Sequence, residues 1–87
     1  MWGGSVLVVN KDTSTGCLDK TWREIREAQA SGQVVMVIVD EADYVYSYPV
    51  IETGVYDGAY SVGTSNGDTY STDSENGYPC GGDGGIK

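Results

Sequence analysis

Histidine and phenylalanine are both absent from this chain of 87 residues, and positive charge is scarce. Five lysines and arginines stand against 13 aspartates and glutamates, which gives a formal net charge of −8. Without histidine, the chain lacks the commonest general base and proton shuttle and a common metal ligand. The negative charge disfavours nucleic acid and anionic membrane surfaces as partners. We therefore predict a non-enzymatic protein with no catalytic residues, no cofactor, no metal site, and no nucleic-acid or membrane partner.

Long apolar runs and cysteines are equally scarce. No stretch approaches the roughly 20 apolar residues of a membrane-spanning helix, and the first ten residues lack the basic start of a signal peptide. Cys17 and Cys80 are the two cysteines. They are too few for a zinc site, and their spacing leaves open whether they form a disulfide or remain two thiols.

One amphipathic helix is predicted near residues 21–31. Thr21 and Glu24 have the spacing of a capping box, with Asp19 as a rival N-cap, and Gly32 is the expected C-terminal stop. Arg23 and Glu27 form an i,i+4 ion pair on the exposed side. The apolar stripe that should pack on a sheet consists of Trp22, Ile25, Ala28 and Gln29.

Several strands are predicted from β-branched and alternating segments. Residues 6–9 read as a first strand, and the unbroken apolar run 34–39 reads as a central strand covered at least partly on both faces. Residues 44–51 alternate with period two, and Pro49 predicts that this strand lies at an edge or carries a bulge. Asn66-Gly67 predicts a type I′ hairpin turn between residues 55–65 and 68–72.

These elements predict a single α+β domain. One helix packs on an antiparallel or mixed sheet of about four to five strands, in the order β-α-β-β-β-β. The domain is expected to span residues 1–79, and the glycine-rich residues 80–87 are expected to form a flexible tail.

The segment VVMVIVDEAD (residues 34–43) resembles the magnesium-binding strand of DEAD-box helicases. That chemistry needs a glycine-rich phosphate loop, which the chain lacks. Asp40, Glu41 and Asp43 do not have the spacing of an EF-hand calcium loop either. We interpret the segment as a strand that leaves the core through an acidic turn.

Tyrosine is the most abundant aromatic residue, with seven copies. Six of them are candidate partner-binding residues: Tyr44, Tyr46, Tyr48, Tyr56, Tyr60 and Tyr70. Tyrosine supplies a large rigid contact area at low entropic cost, which suits a surface for protein or glycan. Cross-strand aromatic pairing that stiffens a thin sheet is the alternative, and the two roles are compatible.

A resemblance to a known group of proteins rests on residues 18–28 (LDKTWREIREA), residues 31–35 (SGQVV) and residues 73–79 (DSENGYP). This pattern resembles small modules of phage and prophage structural proteins, including tail- or fibre-associated ones, of gut Firmicutes. The resemblance implies a structural or interaction module that contacts a protein partner or neighbouring subunit, and it leaves oligomerisation open. A virion-associated location follows from it. The alternative is a small acidic inhibitor that mimics nucleic acid and binds a host protein, in the host cytoplasm.

Overall fold

A curled, half-barrel sheet of six strands carries one helix in the computed structural model, which describes residues 5–81. The elements are β1 (Val6–Asn10), α1 (Trp22–Ala30), β2 (Val34–Glu41), β3 (Tyr44–Tyr56), β4 (Ala59–Thr64), β5 (Thr69–Thr72) and β6 (Cys80–Gly81). The strands lie in the sheet in chain order. The predicted α+β class with a single helix is confirmed, with six strands rather than four to five.

The sheet is mixed because β1 and β2 are parallel, while the other neighbouring strands are antiparallel. The parallel register runs from Val6 opposite Val34 to Asn10 opposite Ile38. A parallel pair needs a long connection, and α1 supplies it by returning the chain to the end where β1 began. Helix α1 therefore runs over one face of the sheet, where it contacts β2 and β4.

The predicted capping box begins α1. The Glu24 amide donates to the Thr21 hydroxyl, and the Thr21 amide donates to the Glu24 carboxylate. Ser31 is the C-cap, and Gly32 follows it with a φ of 87°, a conformation that favours glycine. Asp19, the rival N-cap, instead accepts hydrogen bonds from the backbone and side chain of Asn10.

The core lies between α1 and the concave face of the sheet. Trp22 is its largest member; its indole Nε1 donates to the carbonyl of Ser61 at 3.1 Å, and its ring meets Tyr60 edge-on at 4.7 Å. As predicted, Ile25 and Ala28 are buried on the same face of the helix. The other buried apolar residues are Val9, Leu18, Val35, Val37, Val39, Val50, Val62 and Tyr70.

Strand β2 is central, and it is buried on one face and partly covered on the other, where Met36 and Ile38 are half-buried; the prediction of at least partial cover on both faces is confirmed. Val35, Val37 and Val39 face the core and are buried, whereas Val34, on the opposite face, is 52% exposed. Within residues 5–81 the one helix packs on the concave face, so no second helix covers the other side. An apolar run shows that a strand has two apolar faces, but not that the chain itself buries both.

Residues 44–49 of β3 pair with β2, and residues 50–56 pair with β4. The stretch before Pro49 therefore has a paired strand on one side only, so the edge position predicted from Pro49 is confirmed for residues 44–48. The predicted bulge is present: the register with β4 shifts between Val50 and Glu52. The irregular ladder tolerates the missing N–H of Pro49, and the Pro49 carbonyl accepts a hydrogen bond from the Ser65 amide at 3.1 Å.

The type I′ turn lies at Asp57-Gly58, not at Asn66-Gly67. Asp57 and Gly58 both have positive φ values, 52° and 80°, as a type I′ turn requires. This turn divides the predicted strand 55–65 between β3 and β4. At the second hairpin Gly67 has a positive φ and Asn66 does not, which fits a three-residue loop ending in a left-handed glycine.

The loop between β1 and α1 connects the two ends of the curled sheet. Lys11 beside β1 bridges to Leu18, and Cys17 bridges to Cys80 and forms a disulfide with it. Cys80 and Gly81 therefore belong to β6, although the sequence predicted a flexible tail from residue 80. The rest of that tail, residues 82–87, lies outside the described residues.

Candidate interaction site

Three alternate residues of β3, Tyr44, Tyr46 and Tyr48, form what we call the tyrosine ladder. Neighbouring ring centroids are 6.0 and 6.2 Å apart, and the ring planes differ by 33° and 15°. Alternate residues of a strand point to the same face, so the period of two places all three rings on one side. Sequence and structure agree on this grouping.

The ladder runs from the tip of the β2–β3 hairpin towards the core. Tyr48 lies opposite the buried Val37 and packs against the core, so the ladder is on the concave face. Exposure increases outward, to 39% at Tyr46 and 64% at Tyr44. The inner ring is thus anchored, while the outer two are open to a partner.

Negative charge lies next to the outer end of the ladder. Glu41 lies directly opposite Tyr44 in the register and faces the same side. Asp40 and Asp43 are also exposed on this hairpin. Residues 40–56 contain no lysine or arginine, so this part of the surface presents aromatic rings beside carboxylates.

Tyr70 lies near the inner end of the ladder and is buried. Burial, together with the neighbouring charge of Asp68, raises the pKa of the Tyr70 phenol to about 12. The ammonium of Lys11 lies 5.7 Å from the centre of the Tyr70 ring, within the range of a cation–π contact. Tyr70 therefore supports the sheet rather than forming an open surface.

The remaining candidate tyrosines do not join the ladder. Tyr60 packs against Trp22 at the core. Tyr56 is exposed, and its ring occupies the space above Gly54, where an added Cβ would lie 2.7 Å from the ring atom Cε2. The six candidates are thus divided among an exposed ladder, the core and a separate position near the β3–β4 turn.

A second surface, which the sequence did not reveal, is a groove between β1 and α1. Its cavity of about 290 Å³ is lined by Leu7, Glu24, Glu27, Ala28, Ser31 and Gln33. The helical members recur at intervals of three and four residues and share one flank of α1. That spacing could have predicted that these helical residues lie together on one side of α1. The groove also requires β1 to be an edge strand, and only the sheet order establishes that.

The structure also permits a search for metal-ligand clusters and membrane-spanning helices. Within residues 5–81, no group of three or more cysteine, aspartate or glutamate side chains is placed to hold a metal ion. Over the same residues, α1 is too short and too polar to cross a bilayer.

Comparison with known proteins gives no further guide to the surfaces. Neither a protein-family model, nor a curated protein sequence, nor a solved structure matches this chain.

Proposed function

We propose that the chain is a non-enzymatic interaction module that binds a protein partner, or a neighbouring subunit, through the tyrosine ladder. The single observation that carries this proposal is the alignment of Tyr44, Tyr46 and Tyr48 on one face, with the outer rings exposed. The absence of histidine from the sequence supports a binding role over a catalytic one.

The ladder has the physical properties of a contact surface. Each ring offers a large amphipathic area with few side-chain torsions to restrict on binding. Tyr48 packs against the core, so the inner end of the ladder is already ordered before a partner arrives. Pre-ordering lowers the entropic cost of association.

The assembly we favour is a phage or prophage structural one, on the basis of the resemblance carried by residues 18–28, 31–35 and 73–79. A small acidic inhibitor of a host protein is the second candidate. The observation that favours it is the net charge of −8, together with the exposed acids Asp40, Glu41 and Asp43 of the β2–β3 hairpin.

A site-specific photo-crosslink tests the ladder and separates the two candidates. A benzophenone amino acid replaces Tyr44 in one variant and the exposed Tyr56 in a matched control. Both variants are produced in cells that carry the phage or prophage genome encoding the chain, and crosslinked proteins are identified by mass spectrometry.

We expect position 44, but not position 56, to crosslink to one defined protein. A structural component of the phage particle would support the assembly role, whereas a soluble host protein would support the inhibitor. Crosslinks from position 56 alone, or none from either position, would contradict a role for the ladder.

A further inference from the structure

The outer edge of β1 carries backbone groups that point away from the sheet. The Lys11 amide donates to Ile38 of β2, so the odd-numbered residues of β1 direct their backbone groups towards β2. The even-numbered residues therefore point outward. At Asn10 the outward amide donates to the Asp19 carboxylate, and the outward carbonyl accepts from the Asp19 amide.

Asp19 thus satisfies the outward backbone groups at one end of β1 only, at Asn10. The outward amide and carbonyl groups of Val6 and Val8 have no hydrogen-bond partner among residues 5–81. These four groups have the spacing of a strand ladder and can accept one more strand. The pair at Asn10 limits such a strand to the stretch beside residues 5–9.

The groove between β1 and α1 lies directly beside this edge on the concave side. Its lining combines the apolar side chains of Leu7 and Ala28 with the acidic residues Glu24 and Glu27. The six residues that line it include two acids and no lysine or arginine. Arg23 pairs with Glu27, and Glu24 accepts hydrogen bonds from Thr21, which is uncharged. Among residues 5–81 the charge of Glu24 is therefore the one that no cation compensates, and it leaves the groove with a net negative charge.

We propose that this edge and groove bind an extended peptide segment of a partner protein, which adds as a strand to β1 and places a lysine or arginine in the groove. The methylene stem of such a side chain fits the apolar part of the lining, and its charged end fits the acidic residues. The outward amide and carbonyl groups of Val6 and Val8 form hydrogen bonds with the added strand. The acidic residues of the groove favour a positively charged side chain over a negatively charged one.

The side chains of the added strand that point to the convex face of the sheet meet a different surface. Successive side chains of a strand alternate between faces. The residues flanking the lysine or arginine therefore lie beside Val6 and Val8, on the convex face of the sheet, where both valines are about half exposed. The segment that fits alternates an apolar residue with an inward-facing cation.

The test uses 15N-labelled protein and the blocked peptide Ac-Thr-Val-Lys-Val-Thr-NH2 in NMR titrations. Peptides with glutamate or norleucine in place of the lysine are the matched controls. Two N-methylated peptides, one modified at both valines and the other at the lysine, remove the peptide donors on one side or the other.

We expect chemical-shift changes concentrated in residues 5–9 and 24–33. The glutamate peptide should bind roughly 3- to 10-fold more weakly or worse, from the loss of a partly exposed ion pair and like-charge repulsion. One of the two N-methylated peptides, the one whose modified amides face β1, should fail to bind while the other binds.

Two protein variants complete the experiment. Glu27→Lys should reverse the preference between lysine and glutamate peptides, whereas Glu52→Lys, the same charge change on β3, should leave it unchanged. Val8→Pro removes one outward donor without removing a bond to β2, and should abolish binding while the melting temperature stays close to that of the parent.

Several results would overturn the proposal. Equal binding of the lysine, norleucine and glutamate peptides would show that the groove does not select a positively charged side chain. No binding at millimolar lysine peptide, or chemical-shift changes confined to other strands, would show that the edge of β1 does not bind the peptide. A peptide-free dimer in sedimentation that Val8→Pro dissociates would assign the edge to a second copy of the chain instead.

Discussion

At the scale of single residues, Trp22 connects the helix to the sheet by three kinds of contact. Its ring is buried, it meets Tyr60 edge-on, and its indole donates to the Ser61 carbonyl. The guanidinium of Arg26 also lies 5.8 Å from the ring. One side chain therefore combines apolar burial, aromatic packing and a buried hydrogen bond to the backbone of β4.

Trp22→Ala should lower the free energy of unfolding by about 3–5 kcal/mol, because it opens a large cavity between α1 and the sheet. Trp22→Phe retains much of the apolar volume but loses the hydrogen bond from the indole to the Ser61 carbonyl, and should cost about 1–3 kcal/mol. Urea denaturation of both variants measures the difference. A change below about 1 kcal/mol for the alanine variant would contradict this role.

The raised pKa of Tyr70 predicts that the protein loses stability in alkaline solution. Because burial raises its pKa from 10.0 to about 12, the folded chain retains this proton at pH values where the unfolded chain releases it. The associated stability is fully present below about pH 10 and declines as the pH rises towards 12. Tyr70→Phe has no phenol to titrate.

Denaturant titrations at pH 8 and pH 11 measure this linkage. The parent should lose more free energy of unfolding between the two values than Tyr70→Phe does, since the other titrating groups are common to both proteins. An equal loss would mean that the Tyr70 phenol does not contribute to the alkaline response.

At the scale of elements, Gly54 and Tyr56 depend on one another within β3. The Tyr56 ring takes the space that a side chain at position 54 would need, while its hydroxyl lies 3.5 Å from the Glu52 carboxylate. An aromatic ring over a glycine can restore packing that the glycine lacks. This pair helps to explain how a glycine is accommodated within a 13-residue strand.

A double-mutant cycle tests that dependence. Gly54→Ala should be less favourable in the parent than in Tyr56→Ala, by about 1 kcal/mol, because the added methyl displaces the ring only when the ring is present. Thermal or urea unfolding of the four proteins gives the coupling energy. Strict additivity would show that the ring does not rest on Gly54.

At the scale of the whole molecule, the Cys17–Cys80 disulfide joins residues 63 positions apart. It links the loop beside β1 to the last strand, and β6 contains only two residues. The crosslink therefore supports the end of the sheet where strand pairing is shortest. Hydrogen bonds from Leu18 to Pro79 and from Gly81 to Gly16 reinforce the same junction.

Replacing both cysteines with serine should reduce the free energy of unfolding by about 2–4 kcal/mol, because the unfolded chain gains the freedom of a long open loop. Adding a reducing agent to the parent should lower its melting temperature and leave the double-serine variant unchanged. If the reducing agent affects both proteins equally, the effect does not come from this bond.

Local patterns in the sequence predicted the helix and the grouping of the ladder. The capping box at Thr21 and the stripe of Trp22, Ile25 and Ala28 involve neighbours within a few turns, so spacing alone defines them. The same holds for Tyr44, Tyr46 and Tyr48, whose common face follows from the period of a strand. Each of these features depends on contacts between residues close in the chain.

Sheet order and the cover on each face required the tertiary structure. The unbroken apolar run 34–39 predicted at least partial cover on both faces, but it did not show which face the helix buries, because the number of packed layers is a property of the whole fold. The edge position of β1, the groove beside α1 and the Cys17–Cys80 bond bring together residues distant in sequence. The amino-acid sequence by itself determined a helix, the strand periods and an aligned tyrosine ladder, whereas only tertiary packing decided which of these surfaces remained open to a partner.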